Sequence, residues 1–172
     1  MQIEQSRIDE LNAQLEAGHK RSFDFHAGSL TNVEAVIEKL IAFQVAIPSW
    51  ALGAGGTRFG RFSIGGEPGN LEEKIEDVGL LHKLNQSSGA ISLHIPWDIP
   101  SDAAKIKALA AHHGLVFDAM NSNTFQDQPG QKLSYKYGSL QNVDKGIRQQ
   151  AVDHNLEVIK YGKELGSNSL TV

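Results

Sequence analysis

An α/β barrel fold built on a parallel sheet is predicted by three features of this chain. Helical and strand-like segments alternate four times, the strand-like segments are continuous apolar runs, and these runs end abruptly in polar and aromatic residues. Alternation of this kind produces right-handed crossovers between parallel strands, and continuous apolar runs are expected of strands covered on both faces. A buried strand that delivers His, Trp, Asp or Asn at its C-terminal end is how such sheets build sites.

Residues 1–30 read as an N-terminal helical extension, with Ile8, Leu11 and Leu15 at helical spacing, packed on a core or on another subunit. Residues 31–172 read as the partial barrel. Thr31 is placed to cap a helix whose stripe is Val33, Val36, Ile37, Leu40 and Ile41, and residues 44–50 form the first strand. Asn70 followed by Glu73 resembles a capping box, opening a helix striped by Leu71, Ile75, Val78, Leu81 and Leu84. The second strand is 90–95. Ser101 caps the next helix, which stops at Gly114, and the third strand is 115–120. The last helix begins near Asn142, carries Val152, Leu156 and Ile159 on one face, and closes at Gly166. Residues 168–172 enter a fourth strand with no covering helix after it, an edge that would expose backbone donors and acceptors. The expectation is a barrel truncated in strand 4. The alternative is a compact four-stranded α/β domain with its last strand at the sheet edge.

Composition narrows the function classes. With 172 residues the chain can bury a core of its own. Sixteen basic against 20 acidic residues give a formal charge of −4, and no Lys/Arg cluster offers the counterion release that nucleic-acid capture needs. The absence of cysteine removes disulfides and thiolate chemistry. No run approaches the ~18 apolar residues of a membrane span. Residues 1–5 lack the layout of a signal peptide, so a cytoplasmic location is expected.

Four groups of residues offer chemistry. Gly53-Ala54-Gly55-Gly56-Thr57-Arg58-Phe59-Gly60-Arg61-Phe62 is glycine-rich, but its spacing fits neither a dinucleotide fingerprint nor a P-loop, and Gly65, Gly66, Pro68 and Gly69 prolong the loop. It is a lid or subunit contact, or else a surface loop. His94 stands near the end of strand 2 with Trp97 and Asp98 close behind, so Asp98 either orients the imidazole for proton transfer or caps the following loop. Asn121, Asn123 and Phe125 suit a hydroxyl-rich ligand, amides orienting it and the ring packing on its apolar face, or else form an Asx-turn. Trp50 is a pocket wall or a core plug. His112-His113 lacks the i, i+4 spacing of a helical metal pair, His-Glu-x-x-His is absent, and His154 reads as a surface residue.

Five ordered motifs carry a resemblance across nearly the whole chain beyond residue 30. They are Ala46-Ile47-Pro48-Ser49-Trp50, Gly55-Gly56-Thr57-Arg58-Phe59, Ser92-Leu93-His94-Ile95-Pro96-Trp97-Asp98, Phe117-Asp118-Ala119-Met120-Asn121-Ser122-Asn123-Thr124-Phe125 and Ser134-Tyr135-Lys136-Tyr137-Gly138-Ser139-Leu140. The chain resembles the bacterial L-rhamnose isomerase family of the broad-specificity type, within the xylose-isomerase-like barrels. That resemblance implies the N-terminal half of a (β/α)8 TIM barrel, a homotetramer, a monosaccharide substrate and dependence on Mn2+ or another divalent metal. It implies interconversion of L-rhamnose and L-rhamnulose, with the metal acting as a Lewis acid on the sugar oxygens. His94 would assist ring opening, Trp50 and Phe125 would wall the pocket, and Phe59 would reach a neighbouring subunit's site as a lid. The family's metal ligands come from later strands, so the 172 residues alone are expected to hold no metal and to be inactive. A non-catalytic carbohydrate-binding or assembly piece, and a related epimerase or isomerase, are the competing readings.

Overall fold

A computed structural model describes residues 3–26, 32–53 and 65–172. Helix α1 (Gln5–His26) lies on a later helix through Ile8, which is buried, and through Asn12, whose amide donates to the Lys83 carbonyl at 3.1 Å. Leu15, one turn on, is exposed. Helix α2 (Val33–Ala42) is capped by Asn32, whose Oδ1 accepts from the Ala35 N–H at 3.1 Å; Thr31, the expected cap, lies outside the described residues. Strand β1 (Ala46–Pro48) runs into a 3₁₀ turn over Ser49–Ala51.

Helix α3 (Leu71–Asn85) starts where the Asn70/Glu73 pattern predicts. Asn70 Oδ1 accepts the Glu73 N–H at 2.9 Å, and the Glu73 carboxylate reaches back to the N–H of Gly69 at 2.6 Å, one residue before the cap itself. Strand β2 (Ala90–Ile95) is buried along its whole length. Helix α4 (Ala103–His112) is capped one residue later than expected, by Asp102, while the Ser101 hydroxyl turns to Glu72 at 3.5 Å. Gly114, at φ +72°, turns the chain into strand β3 (Val116–Ser122), which runs two residues beyond its expected end.

Helix α5 (Lys145–Leu165) begins at the Asp144 cap, with Gly166 at φ +91° closing it as predicted. Its buried face is Ala151, Val158, Gly162 and Leu165; Val152, Leu156 and Ile159, the stripe expected to face inward, are exposed. Close approach explains the choice. A Cβ on Gly162 would stand 3.1 Å from Met120 Cγ, so small residues let α5 settle on β3 where a leucine stripe would hold it away.

Strand β4 (Ser169–Thr171) completes one sheet of order β1-β2-β3-β4, every pairing parallel. Between the Ile91↔Phe117 and Leu93↔Met120 pairs β3 carries one extra residue, a bulge. The core lies between sheet and helices: Ile91, Leu93 and Ile95 of β2 pack among Ile75 and Val78 of α3, Ile106 and Ala110 of α4, and Val158 of α5. The period of two then puts Ser92 and His94 on the opposite face. The α/β class and the four parallel strands thus agree with expectation. Among the described residues the sheet is open, with β1 pairing only with β2 and β4 only with β3.

Candidate functional site

Because the strands are parallel, their C-terminal ends meet at one edge of the sheet. Trp50 leaves β1, His94 and Trp97 stand at the end of β2, and Phe125 follows β3. The His94 ring, itself buried, is the centre of this group. Trp97 stacks on it at 4.0 Å between centroids with 22° between planes. Trp50 and Phe125 meet it edge-on, at 5.5 Å and 71° and at 5.9 Å and 77°. Offset and T-shaped contacts are the arrangements aromatic quadrupoles favour. Phe125 keeps 57% of its surface, so this wall is open to a ligand. Of the four residues singled out in the sequence, His94, Trp50 and Phe125 are brought together; Phe59, with the glycine-rich loop, lies outside the described residues.

Asp98 meets His94 through its backbone and not through its ring. Its Oδ2 accepts the backbone N–H of His94 at 2.8 Å and the Ser49 hydroxyl at 2.5 Å, while Oδ1 pairs with Lys74 Nζ at 2.6 Å. The carboxylate therefore grips the backbone beneath the imidazole instead of the ring. The Asp98 N–H returns to the His94 carbonyl at 2.9 Å, closing the 94–98 turn from both ends. Side-chain exposures of 1% for Asp98 and 6% for Lys74 make this a buried ion pair, each charge desolvated only because the other is present.

The exit of β3 is fixed separately. The Asn123 N–H is shared between the Ile95 carbonyl and Nε2 of His154, each at 3.2 Å. His154 is thus no surface residue: its side chain is only 16% exposed, and burial lowers its pKa, with Glu157 and the Ile95 carbonyl opposing in part. A neutral ring is what an acceptor at Nε2 requires. Asn121 donates to the Leu93 carbonyl at 3.5 Å, while the Asn123 side chain, 1% exposed, has neither amide atom hydrogen-bonded. Trp97 Nε1 donates to Gln128 at 3.3 Å.

Three of these residues escaped the sequence reading. Ser49 stands out in the sequence only as part of a motif, His154 reads there as a surface residue, and Lys74 carries no motif at all. Lys74 stands three residues after Leu71 and four before Val78, on the inward stripe of α3, and a lysine on an apolar stripe is a signal for a buried acidic partner. Nothing comparable marks His154. Adjacent His112 and His113 meet edge-on at 5.2 Å, and among the described residues no group of three or more His, Cys, Asp or Glu is arranged to hold a metal ion. No helix among them is long and apolar enough to cross a membrane.

The chain is similar to two curated proteins, each named "probable sugar isomerase". It is 52% identical over 141 residues to one from Rhizobium meliloti, an alignment covering 82% of this chain and 33% of the relative. It is 54% identical over 140 residues to one from Mesorhizobium japonicum, covering 81% and 32%. The chain thus spans about a third of the length of the curated relatives it matches. No protein-family profile matches it.

Proposed function

We propose that this chain is the pocket-wall portion of a sugar isomerase that interconverts an aldose and its ketose, with L-rhamnose and L-rhamnulose as the pair. Similarity to the two named sugar isomerases supports the reaction class. The observation that carries the site is a buried imidazole enclosed by three aromatic rings at the strand ends. Aromatic faces suit the apolar face of a deoxysugar, and the imidazole supplies a group able to move a proton. In this reading His94 gives a proton to the ring oxygen as the C1–O5 bond breaks and takes one back from the anomeric hydroxyl, leaving the open-chain aldehyde. A hydride then moves from C2 to C1 while the O2 proton passes to O1, which gives the ketose. Trp50 and Phe125 hold the sugar. Phe59 acts as a lid on a neighbouring subunit of a homotetramer.

The metal is a separate matter. Manganese finds no donor set among the described residues, so no step is assigned to it; in this reading its ligands lie outside them, in a part of the barrel corresponding to the remaining length of the relatives. The 172 residues alone are accordingly expected to form no ketose. Grafting supplies the test. The chain replaces the matching segment of the Rhizobium meliloti relative, and the chimera is assayed with L-rhamnose and manganese beside the intact relative. Ketose formation by the chimera, lost in His94→Ala, is expected. An inactive, folded chimera beside an active parent would overturn the reading.

A further inference from the structure

We infer that Asp98 is a positioning residue that sets the geometry of the His94 pocket through its hydrogen-bond acceptors, and that its ion pair with Lys74 serves to keep the carboxylate there. One Oδ2 atom holds two of the three walls. It accepts the His94 N–H at 2.8 Å within the turn that also carries Trp97, and the Ser49 hydroxyl at 2.5 Å on the residue before Trp50. Trp97 stacks on His94 across that closed turn, and Trp50 meets the His94 ring edge-on from the tethered β1 exit. Stability does not require a charge pair at such a place. A buried pair replaced by apolar residues of similar volume is often as stable or more so, whereas an apolar side chain offers no acceptor to two donors at the ends of neighbouring strands. The inference rests on the proposed function for what the pocket does, but the geometry it concerns exists without sugar.

Two double variants separate acceptor from ion pair. Lys74→Met/Asp98→Asn removes both charges and keeps an oxygen acceptor; Lys74→Met/Asp98→Leu removes the charges and the acceptor together. Both are read by NMR without sugar, on the 13C-histidine-labelled 172-residue chain mixed with the unlabelled remainder of the Rhizobium meliloti relative, the partner expected to cover its exposed apolar surface. Stacking under Trp97 displaces the His94 ring signals upfield of the other histidines, and Trp97→Leu assigns them by abolishing the displacement. The expected result is displaced signals in the wild-type chain and the Asn variant, and their loss in the Leu variant at a similar melting temperature. Displaced signals that survive in a folded Leu variant would show a merely structural pair and overturn the inference. So would their loss from a folded Asn variant, or their absence from the wild-type chain. Should the Leu variant fail to fold, Ser49→Ala on a Trp97→Phe background carries the test, because it leaves the Lys74 pair intact. Trp50 fluorescence then shifts to the red if the tether holds that ring in place, and an unchanged spectrum overturns the inference. Since no sugar is present, failure here leaves the isomerase reading standing, and failure of the chimera leaves this one.

Discussion

Lys74 and Asp98 meet at 2.6 Å with both side chains withdrawn from water, so removing either charge strands the other. Lys74→Met alone is expected to cost roughly 3–5 kcal/mol, far more than the ~0–1 of an exposed pair. Urea denaturation of the single variant measures it, and a loss below about 1 kcal/mol would mean that water reaches the carboxylate. His154 makes a second prediction at this scale. Its pKa is lowered from the ordinary 6.5 by burial, so the folded chain binds that proton less readily than the unfolded one. The stability it confers is fully present above about pH 6.5 and declines as pH falls below that value, towards the lower folded pKa. Protonation would also take the Nε2 acceptor from the Asn123 N–H. His154→Gln is therefore expected to flatten part of the acid-side fall in stability, measured by denaturant titration from pH 7 downward. Part will remain, because burial lowers the pKa of His113 as well and gives it the same sign. An unchanged slope in the variant would contradict the burial argument.

Helix α3 joins the fold to the site, since it carries Lys74 and begins at a cap that can be read directly from the sequence. Asn70→Ala removes the acceptor for the Glu73 N–H and should cost about 1 kcal/mol. Gly79, mid-helix, decides between two opposed effects. Alanine there gains about 1 kcal/mol of helix propensity, but its Cβ would lie 2.6 Å from His113 Cγ at a buried position. Overpacking typically costs about 1–3 kcal/mol, so Gly79→Ala should destabilise; a gain in the denaturation midpoint would show that His113 moves aside at little cost. The elements legible in advance were those fixed by local chemistry, such as the Asn70/Glu73 start, the Gly166 stop and the buried run of β2. The inward face of α5 was not legible, because hydrophobicity marks Val152, Leu156 and Ile159 whereas close packing on Met120 selects Gly162. The same distinction runs through the site. Trp50, His94 and Phe125 stand out as residue types at strand ends, but Asp98 works through a backbone N–H and a serine 49 positions away, a pairing that only the fold creates.

At the scale of the whole chain, exposed apolar residues include several on the elements that precede the two edge strands in sequence. Val36, Ile37, Leu40, Ile41 and Phe43, on α2 and just after it, precede β1, and no described side chain of α2 is buried. Leu156 and Ile159 of α5 precede β4, and Val172 follows it. Leaving such a residue exposed forfeits roughly 1.5–3 kcal/mol of burial. A handful of them amounts to a sum comparable with the ~5–15 kcal/mol that holds a typical domain together. Parallel strands ordinarily have their faces covered, and an uncovered edge is a template for pairing with another chain. The isolated 172 residues are therefore expected to associate, or to melt broadly. Mixed with the remainder of the Rhizobium meliloti relative, outside the matched region, they should gain a sharper melt. They should also gain slower amide exchange at β1 and β4, with little change at β2, which already pairs on both sides. Exchange resolved by residue makes the comparison within one sample, so general stabilisation and edge pairing can be told apart. Equal protection gained at all four strands would point to general stabilisation, and a sharp two-state melt of the isolated monomer would show that the sheet needs no neighbour at either edge.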